Sequence, residues 1–250
     1  MPIRYTRQLT GHHRSPASNR RLGGVLAFIA GAINAGGFLA VQQYTSHMTG
    51  IVSSMADHIA LGQYEIALTG LGALLSFLGG AACSAVMVNY SRRRKMHGEY
   101  AFPLLLEAAL LLCFGLLGAR LNDIDGLFVS VTVMLLSFMM GLQNAVITKL
   151  SKAEIRTTHI TGLVTDIGIE LGKLLYWNRS DSLPPVTANP DRLKLLVGLA
   201  FAFFVGGIVG ALGFKHIGYF ATVPLAIVLS LLAIVPAVDD IRRWLKHLRR

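Results

Sequence analysis

YTSHMTG at residues 44–50 and RTTHITG at residues 156–162 share the pattern T-x-H-x-T-G, with 112 positions between His47 and His159. Each copy follows a long apolar stretch, so the question is what a polar hexapeptide does in such surroundings. The chain has 250 residues, 53% hydrophobic and only 14% charged. Its mean hydropathy is +0.56. A soluble domain carries about 25% charged residues, more evenly spread. Here segments 22–41, 66–90, 126–148, 195–214 and 217–238 contain no Asp, Glu, Lys or Arg. Each reaches the roughly 20 residues that a helix needs to cross a bilayer core of about 30 Å. Segment 102–119 is a sixth candidate, slightly short and interrupted by Glu107. The composition thus predicts an all-α polytopic membrane protein with six transmembrane helices, the lipid bilayer being its first partner.

The formal net charge of +10 would suit a nucleic-acid binder, so the placement of charge has to decide. Of 23 Lys and Arg, 21 fall in four clusters: residues 1–21, the 91–100 loop, segment 149–194 and the 239–250 tail. Arg120 and Lys215 are the other two. With six spans and a cytoplasmic N-terminus all four clusters lie inside, which is the positive-inside asymmetry. The charge therefore reports orientation, and no nucleic-acid partner is expected. Both termini are expected in the cytoplasm and the protein in the inner membrane. The 1–21 arm and the basic amphipathic 239–250 tail are expected to meet anionic lipid. The first span reads as an uncleaved signal anchor. Cys83 and Cys113, inside apolar segments, read as small packing residues, and no metal or cofactor is expected.

The repeat extends beyond the hexapeptides. Gly31-Ala-Ile-Asn34-Ala35 precedes the first copy and Gly141-Leu-Gln-Asn144-Ala145 the second. A Phe-x-Gly-Gly follows each, at 77–80 and 204–207. Order and flanks match, so 22–119 and 126–238 read as two copies of a three-span unit. An odd number of spans per unit inverts the second copy in the membrane, an arrangement typical of secondary transporters with sites near the midplane.

After each hexapeptide comes a helical pattern too short or too polar for a full span. Thr49 and Thr161 are expected N-caps, and Gly50 and Gly162 allow close approach of a backbone or ligand. A helix that begins inside the membrane exposes unpaired N–H groups and its positive dipole end, which suits an anion. His47, Thr49, Gly50, His159, Thr161 and Gly162 are therefore candidate binding residues, with Asn34 and Asn144 lining the site or holding the broken backbone. Asp57, Asp166, Glu170 and Glu107 are candidates for proton or cation coupling. His159, Gly162, Asp166, Glu170 and Lys173 fall on one helical face. Such helices also suit the headgroup layer, with their polar faces in water. Glu107, costly in hydrocarbon, either carries a proton or pairs with Asn144 or His159. Gly206-x-x-x-Gly210 reads as a helix-packing pair. Asp239 and Asp240, like Asp123 and Asp125, read as solvated loop residues.

With its duplicated T-x-H-x-T-G, the upstream G-x-x-N-A and the downstream TDIGIELGKLL, the chain resembles the YoaK-like family of bacterial membrane proteins, a family of unknown function. The resemblance runs from about Leu22 to Val238 and is most specific in HMTGIVSSMADHIALG and THITGLVTDIGIELGKLL. It implies a multi-span inner-membrane protein and names no substrate. Where members often carry Asn after the first Thr-Gly, this chain has Ile51. The layout also looks like that of sulfate and uracil permeases. Three functions remain open at this level. One is a permease for a small polar or anionic solute, with proton coupling as an option. Another is an intramembrane enzyme built on the paired His and Asp, although neither H-E-x-x-H nor G-x-S-x-G occurs. The last is a non-catalytic sensor or assembly subunit, and a homodimer is open in each case.

Overall fold

In hydrocarbon every backbone N–H and C=O must find a partner within the protein, and a long apolar segment meets this by becoming helical. A computed structural model describes residues 16–121, 127–151, 155, 157–179 and 184–248; the 1–15 arm, Asp123 and Asp125 lie outside it. Its elements are α1 (Pro16–Val41), α2 (Met48–Ala60), α3 (Tyr64–Arg93), α4 (Ala101–Leu121), α5 (Leu127–Leu150), α6 (Ile160–Leu175), α7 (Pro190–Ile217), a 3-10 turn (Gly218–Ala221) and α8 (Thr222–Leu248). No strand occurs among the described residues. Among the described residues four helical stretches are long and apolar enough to cross a membrane: Ala17–Val41, Tyr64–Arg93, Ser130–Leu150 and Pro190–Arg242. A shorter apolar helix covers Ala101–Leu116. The protein is an all-helical, multi-pass membrane protein.

Local chemistry explains where the helices stop. Asn189 caps α7, its side chain accepting from Arg192 N at 3.0 Å, and Pro190 follows at the first helical position, where a missing N–H costs nothing. The 53-residue apolar stretch from Pro190 is divided at Gly218, whose φ of 58° lies where an L side chain is strained. Ile217 therefore ends α7 rather than opening the last span, which starts at Thr222. The backbone at 239–248 continues α8 without a break.

Three helix pairs carry most of the packing: α1 on α7, α3 on α5, and α4 on α8. The first two are parallel pairs held by glycine. A Cβ on Gly31 would run into the carbonyl of Phe203, and one on Gly206 into that of Phe28. In the other pair a Cβ on Gly141 would meet the carbonyl of Phe77, and one on Gly80 that of Phe138. Gly210 lies against the backbone of Ala32 in the same way, so the Gly206/Gly210 pair packs as the sequence predicts. Between lipid and protein there is little hydrophobic drive, so close backbone approach through small residues does the joining. Large side chains turn outward instead, Leu68 on α3 and Phe204 on α7 among them. Cys113 is also exposed, on α4, rather than packed inside. α1 and α5 run antiparallel, with Asn19 Nδ2 donating to Leu150 O at 3.5 Å and Gln143 Nε2 to Leu26 O at 3.2 Å.

Asp240 corrects one expectation. Instead of standing in water it is buried, and it accepts from His97 N at 2.7 Å and Gly98 N at 2.8 Å. It thereby clamps the turn between α3 and α4 to α8. Beside it Arg92 Nε pairs with Glu99 at 3.2 Å. Asp240→Ala strands two N–H groups of that turn and should cost about 3 kcal/mol. Thermal melting checks this, with Asp240→Asn recovering part of the loss.

Candidate functional site

The site begins with two asparagines. Asn34 lies seven residues before the end of α1, and its Oδ1 accepts from Ser46 Oγ at 2.8 Å and Ser46 N at 3.3 Å. Asn144 lies six residues before the end of α5, and its Oδ1 accepts from Thr158 Oγ1 at 2.6 Å. Asn144 Nδ2 is anchored on Met140 O at 2.7 Å. At 1.5 Å per residue, both anchors sit about 9–10 Å back from their helix ends. Each hexapeptide is thus folded back along the helix that precedes it.

Helices α2 and α6 start at these anchors. The N-cap positions are His47 (φ −92°, ψ 72°) and His159 (φ −88°, ψ 65°), and neither ring caps its own helix. Their carbonyls accept the first helical bonds, from Ile51 N and Leu163 N, each at 3.1 Å. Thr49 and Thr161 are consequently the second residues of their helices and not the expected caps. The cause is the tether: Asn34 and Asn144 hold Ser46 and Thr158, so the bend into the helix falls on the next residue. Each imidazole lies over a glycine one turn in. A Cβ on Gly50 or Gly162 would collide with Nδ1 and Cε1 of His47 or His159.

Both helix starts open on one cavity of about 660 Å³. From the first half it is lined by Asn34, Tyr44, Ser46, His47, Met48 and Thr49. From the second come Asn144, Thr158, His159, Ile160 and Thr161, with Phe77 of α3 and Phe203 of α7 completing the wall. His47 and His159 thus face the same space. Unpaired N–H groups of two first turns join the Thr49 and Thr161 hydroxyls there as donors. Gly50 and Gly162 lie beneath the rings instead of on the wall. Sequence reasoning did not find the two phenylalanines as site residues. It also matched Phe77 to Phe204, one residue off, because it followed the Gly-Gly doublet. The contacts align Phe77 and Gly80 with Phe203 and Gly206, a Phe-x-x-Gly spacing that a search on cross-helix contacts would reveal. A smaller cavity of about 280 Å³ adjoins the first and shares only Tyr44 and His47 with it.

A family model described as "Protein of unknown function (DUF1275)" matches residues 22–235, nearly the whole described chain. The chain belongs to the DUF1275 family. It is also similar to the UPF0700 transmembrane protein YoaK of Bacillus subtilis (strain 168), at 24% identity over 156 residues, which is 62% of this chain and 68% of that protein. No solved structure matches it.

In this DUF1275 protein the four acidic candidates stand apart from the cavity wall. Asp57 is exposed on α2. Glu107 is fully buried on α4, and neither carboxyl oxygen has a hydrogen-bond partner among the described residues, so of its two readings the pairing with Asn144 or His159 is not made. Asp166 and Glu170 join α6 to the start of α7. Arg192 Nη2 donates to Asp166 at 3.2 Å, and Lys173 Nζ to Glu170 at 2.8 Å. Glu170 also accepts from Asn189 N at 2.8 Å. On α6 Leu163 and Glu170 are buried, Asp166 and Lys173 are half-buried, and Val164, Ile169, Leu171 and Leu174 are exposed.

That network makes stability depend on pH. The Asn189 N–H, then Lys173 and Arg192, hold the Glu170 carboxyl below the usual carboxylate range. A depressed folded value stabilises above the unfolded value of about 4.3 and is lost as pH falls through the folded one. Melting temperature should therefore drop in acid below about pH 4, and Glu170→Gln should flatten that part of the curve.

Proposed function

We propose that this protein is a secondary transporter, a permease for a small polar or anionic solute bound between the starts of α2 and α6. The observation that carries the reading is the cavity shared by both T-x-H-x-T-G segments. On this reading six spans form two inverted three-span repeats, 22–119 and 126–238, with both termini cytoplasmic in the inner membrane. The helix directions support it. Parallel α1/α7 and α3/α5 pairs, with α1 antiparallel to α5, are what six alternating spans require. The anchors support it too. A core of about 30 Å, entered about 10 Å from opposite faces, brings the two segments near the midplane. Two half-helix starts meeting there form the usual solute site of such transporters. The anion preference follows from the dipole ends and from the lack of a carboxylate among the described residues of the wall.

Purified protein in proteoliposomes should accumulate or exchange at least one small labelled anion. Complete absence of flux across a broad anion panel overturns the reading. Glu107 is the coupling residue in this scheme, being a buried carboxyl without a hydrogen-bond partner among the described residues. Glu107→Gln should keep the fold and abolish the stimulation of uptake by a proton gradient, while exchange at equal pH continues.

A further inference from the structure

The chemistry of the cavity wall narrows the solute class. We infer that the solute is a small organic monoanion with an apolar, ring-sized body, rather than an inorganic oxyanion; this rests on the transporter reading of the same cavity. Among the described residues that line the cavity there is no Asp, Glu, Lys or Arg. Its positive character comes from two helix starts, each equivalent to about half an elementary charge, and together they match roughly one negative charge. A dianion would be left half-compensated, and burying unpaired charge is expensive. Donors are few as well. The hydroxyls of Ser46 and Thr158 are already directed to Asn34 and Asn144, which leaves mainly Thr49, Thr161 and first-turn N–H groups.

The rest of the wall is apolar. Phe77 and Phe203 line the cavity from α3 and α7, and Tyr44, Met48 and Ile160 add further apolar residues. A volume of about 660 Å³ is far more than a lone oxyanion fills, and it lies in the range of about 300–1,000 Å³ typical of organic ligands. Aromatic walls with a few donors at one end suit an amphipathic anion: the carboxylate at the helix starts, the body between the rings.

The test uses the full chain in lipid nanodiscs and follows its melting temperature with sodium benzoate, acetate and sulfate at matched ionic strength. Benzoate should stabilise in a saturable manner, acetate much less, and sulfate not at all. Phe77→Leu and Phe203→Leu keep apolar volume and remove the rings. Each should weaken benzoate binding about tenfold, the factor corresponding to about 1.4 kcal/mol of lost ring contact. The ranking of the three anions on the unaltered protein is readable even if a variant folds poorly. Sulfate or acetate matching benzoate overturns the organic class and leaves the anion site standing. Benzoate binding indifferent to both leucine variants also overturns it. If no anion stabilises the protein, the anion-transporter reading falls with it.

Discussion

Gly80→Ala is expected to leave little folded protein, whereas Gly79→Ala, one residue earlier, should be nearly silent. A Cβ at Gly80 would overlap the Phe138 carbonyl and come within 3.0 Å of Leu142 N. Both are backbone atoms of α5, so relief requires moving α3 and α5 apart along their whole crossing. At Gly79 the nearest atoms are ring carbons of Phe138 at 3.9 Å, an ordinary contact. The matching crossing offers the same contrast. Gly206 abuts the Phe28 carbonyl, while a Cβ on Gly207 would meet Ala35 Cβ at 3.6 Å and Gly31 O at 3.7 Å, both ordinary contacts. Overpacking usually costs about 1–3 kcal/mol, and here the obstacle is backbone, so about 3 kcal/mol or more is expected at Gly80 and Gly206. Alanine's higher helix propensity offsets less than about 1 kcal/mol of that. Size-exclusion profiles and melting curves in detergent read the outcome. A Gly80→Ala protein that melts like the parent would refute the crossing geometry.

Thr49→Asp and Thr161→Asp should produce opposite changes in stability and transport. Both residues lie in the first turn of a helix and face the cavity. A carboxylate there interacts favourably with the helix dipole, by about 0.3–1 kcal/mol, so melting temperature should hold or rise. The same charge would occupy the proposed anion site. At about 4 Å and an effective dielectric of about 20, repulsion of a bound anion is about 4 kcal/mol, close to a thousandfold loss of affinity. Uptake in proteoliposomes should fall to background in either variant, while Thr49→Asn and Thr161→Asn, similar in shape and uncharged, retain most of it. Faster uptake in the aspartate variants would mean that the solute is a cation.

The membrane character and the two hexapeptides were legible because they depend on composition and local spacing. Asn34 and Asn144 could be singled out for the same reason, lying 13 and 15 residues before their histidines. Contacts across the bundle were not legible. In a soluble helix the buried face announces itself by an apolar stripe, but here both faces of α3 and α7 are apolar, and only small residues mark the inner one. That is why Phe203 was passed over for Phe204. The burial of Asp240 depends on a turn 142 residues away, and the Glu170 ion pairs on the start of the next helix. The displaced helix caps have a different origin, since the tether that moves them is itself a contact between side chains.

The α1/α7 crossing also bears on how the protein is made. α1 is the first described helix to leave the ribosome, yet the groove around Gly31 is closed by α7, which starts at Pro190. At about 5–20 residues per second, roughly 150 further residues take on the order of 10–30 seconds to synthesise. For that interval the groove has only lipid to fill it. The bundle is therefore completed late in translation, and a chain cut short before α7 keeps its first helix without its main partner.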